Sequence, residues 1–158
     1  MHFFKWLGVG VVLCCGIFAG ILFAAFEKRR LQQAEGLLAL LQEIRVQIDC
    51  FSLPMCKILQ SCDRALLDAC GTVGTPRDFA ELLRETKLYQ TEETCRLLAD
   101  LAGKLGGSYR EEQLRCIDFY AARLVPYCDK LRADLPRRER MALFLPPALA
   151  VALILLLL

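Results

Sequence analysis

The sequence predicts an all-α protein in which a helical bundle of about five to six helices lies between two apolar, membrane-spanning helices. Three observations support this prediction. Hydrophobic residues make up 56% of the chain and are concentrated at its two ends, whereas an ordinary globular domain has about 45–50%. Between the ends, apolar residues recur every three or four positions, which is the period of a helix. No stretch shows the alternation that is typical of a β-strand.

The first apolar run covers residues 6–26 and contains no charged residue. A helix of this length crosses about 30 Å of hydrocarbon. The run is too long for the core of a signal peptide, and no A-x-A-like cleavage site follows it, so we expect an uncleaved anchor. Gly16, Gly20 and Ala24 place small side chains on one face. Such a stripe indicates close packing against another helix, although glycine is also simply common in membrane helices.

The second apolar run covers residues 141–158 and is near the lower length limit for a span. Pro146 and Pro147 remove two backbone donors from it. We therefore expect this segment to tilt, to thin the bilayer or to lean on the first span.

Basic residues flank both runs on the side of the middle domain. They are Lys28, Arg29, Arg30, Arg137, Arg138 and Arg140. Lys and Arg next to a span tend to stay in the cytoplasm. The predicted organisation is thus a short outer tail at 1–5, spans at 6–26 and 141–158, and a cytoplasmic bundle at 27–140. The clusters either set this orientation and contact anionic lipid heads, or they dock a partner.

Two long heptad seams run through the middle domain. The first begins at Ala34 and ends at Phe51, with Leu37, Leu41, Ile44 and Ile48 between them. The second includes Leu114, Ile117, Leu124 and Leu131. Two such seams can pack antiparallel, which would bring both membrane helices together.

Shorter helices are predicted between the seams. Ser52 is the expected cap of a helix that runs to about Cys70 and ends in a turn at 71–74. Thr75 opens the next helix, with Pro76 at its first helical position.

Two further caps precede the last helices. Thr91 opens one helix, which is expected to stop at Gly106, and Ser108 with Glu111 forms a capping box before the last helix. Pro126 lies inside that last helix and is expected to kink it.

Nine cysteines invite a metal or redox interpretation. However, no pair has C-x-x-C spacing and the only histidine is His2, so no zinc ligand set is evident. Segment 71–75 lacks the Lys-Ser/Thr pair of a phosphate-binding loop. We therefore expect no enzymatic activity, no metal and no cofactor. The net charge of +2 gives no argument for nucleic acid binding.

Several short motifs stand in an order that is similar to that of a known family. Leu37 precedes the sequence Leu-Gln-Glu-Ile at 41–44, and Phe-Ser-Leu-Pro-Met follows at 51–55. Leu-Gly-Gly-Ser at 105–108 is followed by Gln113, and the chain closes with Leu-Ile-Leu-Leu-Leu-Leu. In these motifs, and in the order of its segments, the chain resembles stage III sporulation protein AB over nearly its whole length. Its prolines at 126, 146 and 147 depart from the family's pattern.

The resemblance implies a structural role. The family belongs to a mother-cell complex that, with a forespore partner, builds a channel between the two cells. Its cytoplasmic part looks like that of type II secretion and type IV pilus platform proteins. The partners implied are membrane lipids, other membrane subunits, a secretion-type ATPase and further copies of the chain. The location implied is the mother-cell membrane facing the forespore.

Two other interpretations remain open. One is a double-anchored coiled-coil tether or adaptor that is not part of a channel. The other is a cysteine-dependent redox enzyme.

Overall fold

The fold of this computed structural model consists of α-helices. The structure describes residues 2–51, 53–72, 74, 76–105 and 109–157, without the side chains of 2–7, 9, 12, 13, 150 and 153–157. The helices are α1 (His2–Phe51), α2 (Met55–Ser61), α3 (Arg64–Cys70), α4 (Phe79–Glu85), α5 (Glu92–Lys104) and α6 (Arg110–Leu157). These described residues include no strand. The prediction of an all-α helical bundle is confirmed.

The chain divides into two compact units. The bundle unit is Arg30–Lys130, and the terminal unit combines Met1–Arg29 with Leu131–Leu158. Helices α1 and α6 each contribute to both units.

In the bundle unit, α1 and α6 run antiparallel. Moving forward along α1, Arg45 pairs with Asp118 and Asp49 with Arg110, so the partners descend along α6. The core between the helices is apolar. Its fully buried members are Leu37, Leu40, Leu41, Ile44, Ile58, Leu59, Phe79, Leu82, Leu98, Leu101 and Ile117. Burial of each such side chain is worth about 1.5–3 kcal/mol, so this core is the main source of stability.

The first seam is shorter than predicted. Phe51 is 65% exposed, whereas Ile48 is buried. The reason is that α6 begins at Arg110, which already pairs with Asp49. The partner helix therefore supplies no surface for the side chain of Phe51.

The prediction of one helix running to Cys70 is wrong, because the structure has α2 and α3 there. The helices are separated at Cys62 and Asp63, both of which have extended backbone ψ values. Asp63 caps α3 by accepting a hydrogen bond from the backbone N–H of Ala65, at 3.1 Å. A side-chain acceptor at this position satisfies a donor that the helix itself leaves unpaired. The predicted Ser52 cap lies outside the described residues.

Helix α4 begins three residues later than predicted, at Phe79. Asp78 is its cap and accepts a hydrogen bond from the backbone N–H of Glu81, at 2.6 Å. The carboxylate of Glu81 accepts in turn from the backbone N–H of Arg77. Pro76 precedes this cap and is not helical. The predicted Thr75 cap, the Gly106 stop and the Ser108 capping box lie outside the described residues.

Thr91 occupies the cap position of α5, as predicted, but its side chain makes no capping hydrogen bond. Its hydroxyl contacts that of Thr94 instead, at 2.8 Å. Gly71 ends α3 in the left-handed conformation with φ of 91°. That value favours glycine, which explains why the predicted turn begins there.

Helix α6 is continuous through Pro126, Pro146 and Pro147. In the terminal unit it lies beside the first part of α1. Within the residues that the structure describes, no helix segment meets the length and apolarity required to cross a membrane.

Candidate functional site

In the terminal unit, α1 and α6 lie backbone against backbone at Gly20 and Ala142. Gly20 is buried, and a Cβ built on it would overlap the carbonyl oxygen of Ala142. Only glycine fits this contact without displacement of a helix. Gly16 and Ala24, the other members of the predicted stripe, are half-buried.

About two turns further along α1, the same two helices are joined by an ion pair. Glu27 is only 5% exposed, and its carboxylate accepts two hydrogen bonds from Nη1 of Arg138, at 3.2 and 3.3 Å. Arg138 also contacts the carboxylate of Asp134 on its own helix, at 3.7 Å. A carboxylate this deeply buried needs such a partner, because an uncompensated buried charge costs several kcal/mol.

The six predicted flanking bases occupy different surroundings. Lys28, Arg29, Arg137 and Arg140 are exposed, whereas Arg138 is half-buried in its ion pair. Arg30 belongs to the bundle unit and donates a hydrogen bond to the hydroxyl of Tyr127, at 3.0 Å. The set is therefore not one uniform cluster, since two of its members serve packing inside a unit.

The described apolar side chains of the terminal unit are largely exposed. They are Val11, Ile17, Phe18, Ile21, Leu22, Phe23, Phe26, Met141, Leu143, Phe144, Leu145, Leu149 and Val151. Water-soluble monomers rarely expose apolar patches beyond a few hundred Å².

The predicted seam residues lie mostly inside. Leu37, Leu41, Ile44 and Ile48 on α1 are all buried. On α6, Ile117 and Leu124 are buried in the bundle unit, Leu131 is buried in the terminal unit and Leu114 is half-buried.

Gln33 is a buried polar residue that sequence reasoning missed. It is 3% exposed, and its amide nitrogen donates to the backbone carbonyls of Cys70 and Lys87, each at 3.0 Å. Its amide oxygen accepts from the backbone N–H of Tyr89 and from the side chain of Gln90. Gln33 thus ties the end of α3 and the loop before α5 to α1. Gln33 stands beside the exposed Gln32, and no sequence signal distinguishes the two.

A polar triad joins α5 to α6 in the bundle unit. The hydroxyl of Tyr120 donates to the carboxylate of Asp100, and Nζ of Lys104 donates to that carboxylate at 2.9 Å. Lys104 also contacts the Tyr120 hydroxyl at 3.0 Å.

The triad stabilises the ordinary charge state of each member. The Tyr120 and Lys104 hydrogen bonds lower the pKa of Asp100. The Asp100 carboxylate raises the pKa of both Lys104 and Tyr120. Lysine therefore stays protonated and tyrosine neutral at pH 7, which is the opposite of what activates a nucleophile or base.

Four cysteines of the bundle unit are also held in their neutral form. Burial raises the pKa of the Cys70 thiol to about 12, and it also raises the pKa of Cys62, Cys95 and Cys116. Because the thiolate is the reactive and metal-binding form, these four side chains behave as small apolar groups. Among the described residues, no three His, Cys, Asp or Glu side chains are grouped so as to hold a metal ion.

Comparisons with protein-family models, with curated proteins and with solved structures found no match to this chain.

Proposed function

We propose that this chain is a non-enzymatic platform component of a secretion-like channel complex in a membrane. Segments 6–26 and 141–158 cross the bilayer, and the bundle lies in the cytoplasm, where it docks a secretion-type ATPase. The resemblance to stage III sporulation protein AB supports assigning this complex to the channel between mother cell and forespore. Other membrane subunits and further copies of the chain complete the assembly.

The observation that carries the proposal is the pairing of the two chain ends. Gly20 packs on Ala142, and Glu27 pairs with Arg138 across 111 residues of sequence. The two apolar runs therefore enter the bilayer side by side, as a double anchor. The polar contact at Glu27 lies next to the first flanking bases, Lys28 and Arg29, where a membrane helix meets the headgroup region.

The exposed apolar side chains of the terminal unit support the membrane assignment. Phe18 and Phe144, at 64% and 73% exposed, would face water in a soluble protein. In a bilayer, the same side chains contact hydrocarbon at no cost.

The bundle unit supports a docking role better than a catalytic one. Its titratable triad keeps Lys104 protonated and Tyr120 neutral, and the thiol of Cys70 is buried. What the bundle presents outward is mixed charge on α1 and α6, which is suited to a protein partner.

The test is purification of the full chain from membranes. We expect it to resist carbonate extraction and to co-purify in mild detergent with a secretion-type ATPase and other membrane subunits. Reversing the exposed Arg140 to Glu should reduce ATPase recovery, whereas the same reversal at Arg96, which pairs with Glu92 on its own helix, should leave it unchanged. Extraction by carbonate would overturn the double anchor. Resistance to carbonate without any co-purifying subunit would favour the tether or adaptor instead.

Two cysteines of the bundle unit report its orientation. Cys50 and Cys56 are exposed, whereas Cys70 is buried and is a poor reporter. A membrane-impermeant thiol reagent should label Cys50 and Cys56 only after the cells are opened. Labelling of intact cells, absent in a Cys50→Ser/Cys56→Ser variant, would place the bundle outside.

A further inference from the structure

The terminal unit contains an open cavity of about 360 Å³ between its two helices. Phe23 of α1 lines it, together with Asp134, Arg137, Arg138 and Met141 of α6. Its lining is thus charged at Asp134, Arg137 and Arg138 and apolar at Phe23 and Met141. Arg137 and Met141 are one helical turn apart, so their side chains project from the same face of α6.

The two arginines of this cavity differ in what they already bind. Arg138 is engaged by the carboxylates of Glu27 and Asp134. Arg137 is exposed and makes no ion pair within the described part of the chain. The cavity therefore offers one cation, Arg137, whose charge is not compensated by a direct neighbour.

We propose that this cavity binds the headgroup of an anionic phospholipid that carries one phosphodiester. Arg137 binds the phosphate oxygens, since a guanidinium matches them with two parallel donors. Phe23 and Met141 contact the glycerol and the first methylenes of the acyl chains. Glu27 and Asp134 hold Arg138 in place beside the phosphate. The inference rests on the proposed function, because it requires the terminal unit to lie in a membrane.

The shape of the lining favours a lipid over a free anion. Inorganic phosphate would use only the arginine end and would leave Phe23 and Met141 in contact with water. A phospholipid places its anionic and apolar parts side by side, in the order that Arg137 and Met141 follow along α6. A single uncompensated cation also matches the single negative charge of one phosphodiester.

The test measures binding of phosphatidylglycerol to the full chain in a neutral detergent by native mass spectrometry. We expect one bound lipid, and Arg137→Gln should weaken its binding roughly fivefold, since a basic residue at an anionic surface contributes about that factor. Arg140→Gln is the matched control, because it removes an equal charge three residues away and outside the cavity lining. Met141→Gln should weaken phosphatidylglycerol binding without changing the affinity for inorganic phosphate.

Three results would overturn the lipid site. They are equal weakening by Arg137→Gln and Arg140→Gln, equal binding of phosphatidylcholine, and displacement of the lipid by inorganic phosphate at similar concentration. Carbonate extraction of the same variants separates this inference from the proposed function. If the chain resists carbonate but gives any of these three results, the proposed anchor stands and only the lipid site is overturned. If carbonate extracts the wild-type chain, both the membrane anchor and the lipid site are overturned.

Discussion

Glu27 and Arg138 are 111 residues apart in the sequence, yet the arginine provides the buried carboxylate with a charged partner at 3.2 Å. Removal of the arginine alone takes this charged partner from a buried carboxylate. We expect Arg138→Gln to destabilise the terminal unit by about 1–3 kcal/mol, less than a fully buried pair would cost because the arginine side chain is 39% exposed. Thermal unfolding of the full chain in detergent measures this loss.

The control for this pair is a double-mutant cycle. Glu27→Gln removes the charge that Arg138 neutralises, so adding it to Arg138→Gln should restore part of the lost stability. Arg140→Gln should have little effect, since Arg140 is exposed. Additive losses in the double variant would show that the two residues act independently.

A larger side chain at Gly20 should separate the paired ends of the chain. Gly20→Leu cannot be accommodated, because its Cβ alone would overlap the carbonyl oxygen of Ala142. Cross-linking between cysteines introduced at Ile21 and Ala142 should fall at least several-fold. Gly10→Leu is the matched control, since a Cβ at Gly10 has nothing within 4 Å. Equal cross-linking in both variants would contradict the close approach.

Substitution of Gln33 by methionine should weaken the bundle unit by about 2–4 kcal/mol, since a buried backbone group without a partner costs about 1–3 kcal/mol. The variant keeps the size of the side chain but loses its bonds to Cys70, Lys87 and Tyr89. Hydrogen exchange should accelerate at the Tyr89 amide, which donates to the glutamine oxygen. Gln32→Met is the control at an exposed neighbouring position, with an expected change within about 0.5 kcal/mol. Unchanged exchange at Tyr89 would refute the role of Gln33.

The Asp100 triad should make the stability of the bundle depend on pH at both ends of the scale. The pKa of Asp100 is lowered, so its contribution is present above about pH 4 and is lost as the pH falls through the lowered value. The pKa values of Lys104 and Tyr120 are raised, so their contributions are complete below about pH 10 and disappear as the pH rises through the raised values.

Tyr120→Phe tests this dependence. The variant should unfold at a lower temperature than the wild type at neutral pH, and the difference should shrink below about pH 4 and above about pH 10. Tyr109→Phe removes a hydroxyl from a side chain that is 89% exposed and should follow the wild-type profile. A difference between wild type and Tyr120→Phe that is constant across pH would mean that the hydroxyl acts only through packing.

The parts of the fold that depend on helical period were predictable. Leu37 and Ile44 recur at heptad spacing and are buried, because an amphipathic helix turns its apolar face to the core whatever its partner. The breaks between the short helices were harder to predict. Asp63 and Asp78 start helices by capping them, but Pro76 offered a competing start signal of equal strength.

The polar contacts of the bundle could not be predicted from period or composition. Gln33 occupies a position beside the seam, and its partners are backbone groups of segments 37 to 56 residues away. Nothing in the sequence marks a backbone carbonyl as the partner of a particular side chain. Glu27 could not be assigned to Arg138 either, because 111 residues separate the two in the sequence.

The antiparallel arrangement of α1 and α6 has a consequence for biosynthesis. Asp118, the partner of Arg45, lies 73 residues later in the sequence, and Tyr127, the partner of Arg30, lies 97 residues later. At about 5–20 residues per second, a ribosome needs roughly 4–20 s to supply those partners. During that interval the apolar face of α1 depends on the intervening short helices for cover, since Ile58, Phe79 and Leu98 emerge first. We therefore expect the bundle to close only after α6 has been translated.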